Sequence, residues 1–464
     1  MEILVRLKVF NMELKSGTNK KEYVRTQILN EKLLPLLVKM SIPTIIGMLI
    51  MVIYSLTDTF FVGVLNDKSM TASIGISFSF VSVIQAIGFW FGYGSGNIMS
   101  KKIGEKDEKE AQVISSVGIS FSIFSGFLIA IVSWIFILDL SKFIGANASP
   151  GLFKNTVDYL RIIVVAIPFI LYSITLYNQL RLCGNVKDAM LGLLLGIFSN
   201  MLLDPVFMFV FDFGFVGAGY ATFVGQIVSC ISLSILAKRN ANIGFSLKNI
   251  KYSKTRIYHI LVGGMPNFSR QAITSISLIL VNRVASKFGD STIAAITVSS
   301  RIVAVAYMIM VGLGQGFQPI CAMNYGAKKY DRVKTAFFLT VVIGSIFLIF
   351  SSILLYFFAE DFVSIMSKDA KVISIGVKIL KIQCISIPFL AYFAVSSMLM
   401  QNIGKYFLSL IISISRQGIF YIPLIYILTN LYGEFGIYLL QPVCDILSFI
   451  LAVVIVYRVK IDNK

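Results

Sequence analysis

Residues 166–192 read AIPFILYSITLYNQLRLCGNVKDAMLG, and residues 386–411 read SIPFLAYFAVSSMLMQNIGKYFLSLI. Laid over one another, the two stretches align Pro168 with Pro388 and Gly184 with Gly404 at the same offset. A second pair lies upstream. GFWFGYGSGNIMSKKIGEKDEKEAQ (88–112) resembles MVGLGQGFQPICAMNYGAKKYDRVKTA (310–336), each a Gly-rich helix end followed by a short basic loop. Pro43 and Pro266 open the first apolar run of each half, and Pro205 and Pro423 fall in the fifth. The matches keep their order, so the chain reads as two copies of one unit.

The composition says what kind of unit this is. Of 464 residues, 57% are hydrophobic and only 14% charged, more apolar surface than a water-soluble domain can hide. Apolar runs of about twenty residues recur along the chain, each long enough to cross a hydrocarbon core of roughly 30 Å as a helix. Helices satisfy their own backbone in lipid, so the expected fold is an all-α integral membrane bundle. Twelve spans are expected: 34–62, 70–99, 111–138, 152–178, 186–211, 215–237, 257–287, 291–321, 333–358, 371–400, 406–430 and 434–458. An even six per repeat gives both lobes the same orientation, related by a pseudo-twofold axis along the membrane normal. The division is a cytoplasmic N-terminal segment (1–33), an N-lobe (34–237), an inter-lobe loop (238–256), a C-lobe (257–458) and a tail (459–464).

Charge placement supports the count. Assigning loops alternately to two sides puts 28 basic residues on one side and 6 on the other. The basic side is expected to be cytoplasmic, with both termini there. The first thirty residues lack the apolar core and cleavage site of a secretory signal. A net charge of +18 is therefore read as membrane orientation, and no nucleic-acid partner is expected. The five cysteines lie in or beside apolar runs at no metal-binding spacing, and the one histidine, His259, sits in a basic loop. Zinc, haem and a catalytic pair are not expected, and no phosphate-loop motif is visible. The chain reads as a transporter that is not an enzyme and carries no cofactor.

The deep charges narrow this further. SNMLLDPVFMF (199–209) places Asp204 inside an apolar run, although a carboxylate at bilayer centre costs roughly 2.5–3.5 kcal/mol. Asn200 lies four residues earlier, on the same helix face. Pro205 lacks an N–H, which frees the carbonyl of Met201 and bends the helix. Clustered oxygens suit a hard cation, and a buried carboxylate also suits a proton. Alternatively, Asp204 caps the kink or pairs with a hydroxyl. Asp58, in YSLTDTFFVG (54–63), and Thr222, in GAGYATFVGQ (217–226), could converge with them across spans one, five and six. The C-lobe instead holds deep bases, Arg270, Arg301 and Arg416, with Asp445 as counter-charge.

At these residues the sequence resembles the multidrug and toxic compound extrusion (MATE) transporters, within them the DinF-like and MepA-like bacterial branch. The resemblance rests on SLTDTFFVG, CGNVKDAMLG…SNMLLDPVF…VGAGYAT, MPNFSRQ (265–271), SRQGIFYIPLI (415–425) and QPVCD (441–445). It covers nearly the whole chain after residue 30. It implies a cation site at Asp58, Asn200, Asp204 and Thr222, with Na⁺ as a candidate occupant, and a bend in the first helix at Pro43. Span seven reads NFSRQAITS and lacks the acid of the NorM-like branch, which places coupling in the N-lobe. Arg270-Gln271 and Arg416-Gln417 match the MepA-like pattern and are read as an ion-pair network with Asp445 rather than as substrate contacts.

The implied function is secondary antiport. Amphipathic, often cationic, drugs or toxic compounds would leave in exchange for inward Na⁺ or H⁺, by alternating access of the two lobes. The alternative is a lipid-linked sugar or peptidoglycan-precursor flippase of the same superfamily. The expected partners are small organic substrates and membrane lipid, the expected state is a monomer, and the expected location is the bacterial cytoplasmic membrane.

Overall fold

The computed structural model describes residues 17–64, 67–240, 246–459 and 461, and these contain helices and no strand. The principal helices are α1 (Gly17–Asn30), α2 (Leu33–Val64), α3 (Lys68–Gly104), α4 (Glu108–Ile135), α5 (Pro150–Leu182), α6 (Val186–Pro205), α7 (Phe215–Asn240) and α8 (Lys254–Ala285). After these come α9 (Asp290–Gly326), α10 (Tyr330–Phe357), α11 (Ala370–Cys384), α12 (Leu390–Asn402), α13 (Tyr406–Ile414), α14 (Tyr421–Tyr432) and α15 (Glu434–Arg458). Ordinary signals start several of them. Asp67 accepts from the amides of Ser69 and Met70 at the head of α3, and Ser149 accepts from the amide of Leu152 with Pro150 in the first turn of α5.

The repeat is visible in the backbone. Gly184 and Gly404 both adopt the left-handed region, at φ 85° and 86°. Around them the same pair of bonds closes the preceding helix: Gly184 N–H to Arg181 O and Asn185 N–H to Leu180 O, then Gly404 N–H to Gln401 O and Lys405 N–H to Met400 O. Only glycine adopts that φ without a Cβ penalty, which is why it recurs. Lys106 and Lys328 occupy a second matched pair of left-handed positions, after α3 and α9. Short helices Ile137–Phe143 and Ala359–Met366 follow α4 and α10 at corresponding points.

Ten helices among the described residues are long and apolar enough to cross a membrane, and a bent pair raises this to eleven. That pair is Ala370–Cys384 with Ile387–Asn402, bent by 47°. Pro388 lies in the break, within a 3-10 turn (Ile387–Phe389). Its counterpart Pro168 sits inside unbroken α5, where Gly126 of α4 lies directly against it. The twelfth expected span is α8. It has 32 residues, ample for a crossing, but carries Asn267, Arg270, Gln271 and Asn282, which leave it less apolar than the others.

The compact units differ from the sequence division into 34–237 and 257–458. One comprises Met1–Glu31 and Ile50–Gly264, the other Lys32–Leu49 and Met265–Lys464. The first half of α2 and the first third of α8 are thus exchanged. In the second unit, Thr44 Oγ1 donates to Gly312 O at 2.6 Å and Ser41 Oγ to Leu313 O at 3.2 Å. In the first, Trp90 Nε1 donates to Leu261 O at 2.6 Å, and Gly94 and Gly264 let α3 and α8 touch backbone to backbone. The glycine-rich helix ends that betrayed the repeat are therefore docking sites for these helix segments. A sequence boundary drawn at loops could not register an exchange that occurs inside a helix.

Within the first unit the end of the inter-lobe loop is fastened down. Ser246 N–H donates to Ser116 Oγ, and Tyr252 packs edge-on against Phe121. Arg256 forks onto Glu110 at 2.7 and 2.9 Å. Arg25 of α1 caps the end of α3, donating to Ile103 O at 2.8 Å and Gly104 O at 3.0 Å.

Candidate functional site

One face of α6 carries a residue of interest at every fourth position: Gly192, Gly196, Asn200 and Asp204, all buried. The two glycines draw α7 close. Gly196 lies against Ser229, and Gly225 of α7 lies against Asn200, whose Cβ would stand 2.9 Å from a Cβ placed there. That close approach brings Thr222 within reach, and Asn200 Nδ2 donates to Thr222 Oγ1 at 3.2 Å. Asn200 is 3% exposed, Asp204 is 0% exposed and Thr222 is half-buried. Asn200 Oδ1 is buried, and no donor reaches it among the described residues. An orphaned amide oxygen one turn from a buried carboxylate is the donor chemistry a small hard cation takes.

Asp58 lies on α2, but its side chain is outside the described residues. The neighbouring packing shows where its helix runs. Phe61, three residues on, packs against a buried cluster of Tyr159, Ile163, Met208, Phe215 and Ala218. Met208 stands four residues past Asp204, in a π-helical turn, Val206–Val210, that follows Pro205. The end of α2 therefore joins the cluster that holds the Val206–Val210 turn and the start of α7. The proline disturbs the helix at Pro205 by a widened turn. Pro43 sits inside continuous α2.

The second unit holds a different arrangement. Asp445 of α15 accepts on Oδ1 from Arg416 Nε at 2.6 Å and from Gln441 Nε2 at 2.7 Å, and on Oδ2 from Ser386 Oγ at 2.8 Å. The ion-paired side chains are 14% and 3% exposed, and the guanidinium also lies over the Tyr307 ring at 5.3 Å. Three helix irregularities meet here. Ser386 is in the α11–α12 break, Arg416 is in the π-helical turn Ser415–Ile419, and Pro442 is inside α15.

The expected network of Arg270, Gln271, Arg416, Gln417 and Asp445 is thus brought together only in part. Arg416 and Asp445 pair. Gln417 meets α8 through its backbone carbonyl, which accepts from Ser277 Oγ, while its side-chain Oε1 is buried with no donor among the described residues. No hydrogen bond or ion pair reaches the Arg270 or Gln271 side chain among the described residues. Sequence reading missed Ser386, Gln441 and Tyr307. The four-residue spacing of Gln441 and Asp445 in QPVCD was the available signal for Gln441; no comparable spacing marked the other two. Likewise the rhythm Gly192-Gly196-Asn200-Asp204 marks the α6 face that α7 covers.

The family model MatE matches residues 43–206 and 266–427, once in each repeat. The multidrug export protein MepA of Staphylococcus haemolyticus (strain JCSC1435) is 26% identical over 421 residues, covering 90% of this chain and 92% of the relative. MepA of Staphylococcus aureus (strain MRSA252) is 25% identical over 432 residues, with coverage of 90% and 92%. A solved structure described as "Outward-facing conformation of a multidrug resistance MATE family transporter of the MOP superfamily" superposes with a TM-score of 0.86 at 23% identity, covering 92% of this chain and 96% of its own. Another, "Crystal structure of MATE in the bent conformation", gives 0.87 at 23% identity, covering 93% and 96%. At such identity the likeness establishes the fold, an all-α membrane protein of two six-helix lobes.

Proposed function

The chain belongs to the MatE family of multidrug efflux transporters, and on that premise we propose that it is a secondary antiporter exporting amphipathic, often cationic, organic molecules in exchange for inward Na⁺ or H⁺. The observation that carries this reading is the burial of Asp204 and Asn200 on one face of α6, with Asn200 bonded to half-buried Thr222 of α7. With Asp58 these residues receive the coupling ion. The ion is cargo, so no resident cofactor is required. The protein works as a monomer in the cytoplasmic membrane with both termini inside, by alternating access of its two lobes.

Coupling follows from linkage. Ion and substrate favour different states or compete, so binding one promotes release of the other. One net charge moving inward gains about 2.3 kcal/mol per 100 mV. A tenfold gradient costs about 1.4 kcal/mol, so one charge sustains roughly a fifty-fold substrate gradient per 100 mV. The test is counterflow of ethidium in proteoliposomes under separately imposed sodium and pH gradients. Ethidium movement driven by one or both gradients is expected. Movement indifferent to both, or ionic current without solute exchange, would rule out antiport.

A further inference from the structure

Of the deep bases in the second unit, Arg270, Arg301 and Arg416, only Arg416 is ion-paired among the described residues. Asp445 compensates Arg416 one for one, and it also accepts from Gln441 and Ser386. Arg270 and Arg301 are left over, and of the two Arg301 is exposed while Arg270 is half-buried. Arg270 stands sixteen residues from the start of α8 and fifteen from its end, about 22 Å of helix on either side. A side chain so placed cannot snorkel to the membrane surface, as arginines near helix ends do.

Nor does it face lipid. The α8 face that carries Arg270 continues through Ile273, Ser277, Val281 and Val284. Ile273 lies against Gly418, Ser277 bonds to Gln417 O, and the two valines join the buried core of the unit. The outward face is a different one, with Ile276, Leu278 and Ile279 exposed. Arg270 is therefore half-buried on the side turned toward the Ser415–Ile419 segment, which bears Arg416. The two guanidinium-bearing segments adjoin, and the one carboxylate bonded there, Asp445, is held by Arg416. Arginine stays protonated at any relevant pH, so the surplus charge cannot be shed.

We propose that Arg270 is a specificity-determining residue that receives an acidic group of the transported molecule, a carboxylate or its equivalent. Its planar fork matches carboxylate geometry, and an anionic group supplies the compensation that Arg270 receives from none of the described residues. The preferred substrates are then zwitterions, amphipathic molecules with an acidic group beside the cationic one. This rests on the exporter reading and sharpens its substrate class.

A matched pair of probes tests it: tetramethylrhodamine, with a free carboxylate, and its ethyl ester, which keeps the cationic chromophore. Both are followed in proteoliposomes carrying wild type, Arg270→Gln or Arg270→Lys. In Arg270→Gln, gradient-driven transport of the free acid is expected to fall about tenfold while the ester stays within about twofold. Arg270→Lys should fall between, because it keeps the charge and loses the fork. Equal loss of both probes would make Arg270 structural and overturn the proposal, as would no loss of either. If Arg270→Gln does not insert, binding to purified wild type decides: the free acid should bind about tenfold more tightly than the ester, and equal binding overturns the proposal. A wild type that moves the ester and not the acid also sinks the subsite and leaves the exporter reading intact. A wild type that moves neither probe removes both.

Discussion

Asp204 and Asp445 are both buried carboxylates on membrane helices, one in each compact unit, and their surroundings are opposite in kind. Asp445 is closed by a permanent cation: Arg416 holds one oxygen, and Gln441 and Ser386 donate as well. Asp204 shares its helix face with a neutral amide, Asn200, which in turn bonds to a neutral hydroxyl, Thr222. A guanidinium neither leaves nor gives up its proton, so the Asp445 arrangement is structural. It ties together a helix break, a π-helical turn and a proline-bearing helix. Neutral oxygens can turn toward an ion that arrives and away after it departs. The companions of a buried acid, more than its burial, decide whether it can serve an exchange.

The largest expected effect breaks the comparison at Asp204. Asp204→Asn keeps the shape and removes the charge, so gradient-driven ethidium efflux should drop to the level of empty liposomes while the protein still folds and inserts. Asp58→Asn should do the same. Efflux at the wild-type rate from either variant would remove the coupling assignment. At Asp445 the same substitution should act on stability. It leaves Arg416 buried without its counter-charge, a loss of about 3–5 kcal/mol, read as a lower denaturation midpoint in detergent. In an Arg416→Gln background, Asp445→Asn should cost much less, because the stranded charge is already gone. The contrast fails if Asp445→Asn leaves the midpoint unchanged and abolishes ion dependence instead.

Much of this was legible in sequence. Pro168, Pro388, Gly184 and Gly404 announced the repeat, because a helix that ends in a left-handed turn needs glycine there. Asn200 and Asp204 were legible from helical spacing alone. The bend near Pro388 was not, since Pro168 is chemically identical and leaves its helix unbroken. What separates them is tertiary: Gly126 accommodates Pro168, whereas the break near Pro388 also supplies Ser386 to Asp445. The exchange of helix segments was equally hidden, because it depends on which backbone Gly94 or Gly312 admits. Arg270 was misplaced for a related reason. Sequence shows that bases and an acid share a lobe, but only packing shows which base the acid has taken.

Smaller effects sharpen the comparison. Thr222→Ala removes the hydroxyl that Asn200 bonds, a change worth about 0.5–1.5 kcal/mol. The sodium concentration for half-maximal efflux should rise about two- to tenfold, with little change in the response to pH, because a proton needs only the carboxylate. An equal shift in both responses would take Thr222 out of the ion shell.

The smallest effect concerns an acid with water as its main companion. Asp67 caps α3, where the Ser69 hydroxyl and the amides of Met70 and Ser69 hold its carboxyl below the usual carboxylate value. A depressed folded value means that its stabilisation is complete above the unfolded value of about 3.9 and is lost as pH falls through the folded one. Asp67→Ala should lower the denaturation midpoint slightly near pH 7, and the deficit should shrink at pH values below the unfolded one. Asp67→Asn keeps an acceptor oxygen at the cap, so its midpoint should stay near wild type at neutral pH. Should Asp67→Ala instead reduce efflux as severely as Asp204→Asn, then depth and companions would not be what separates these carboxylates.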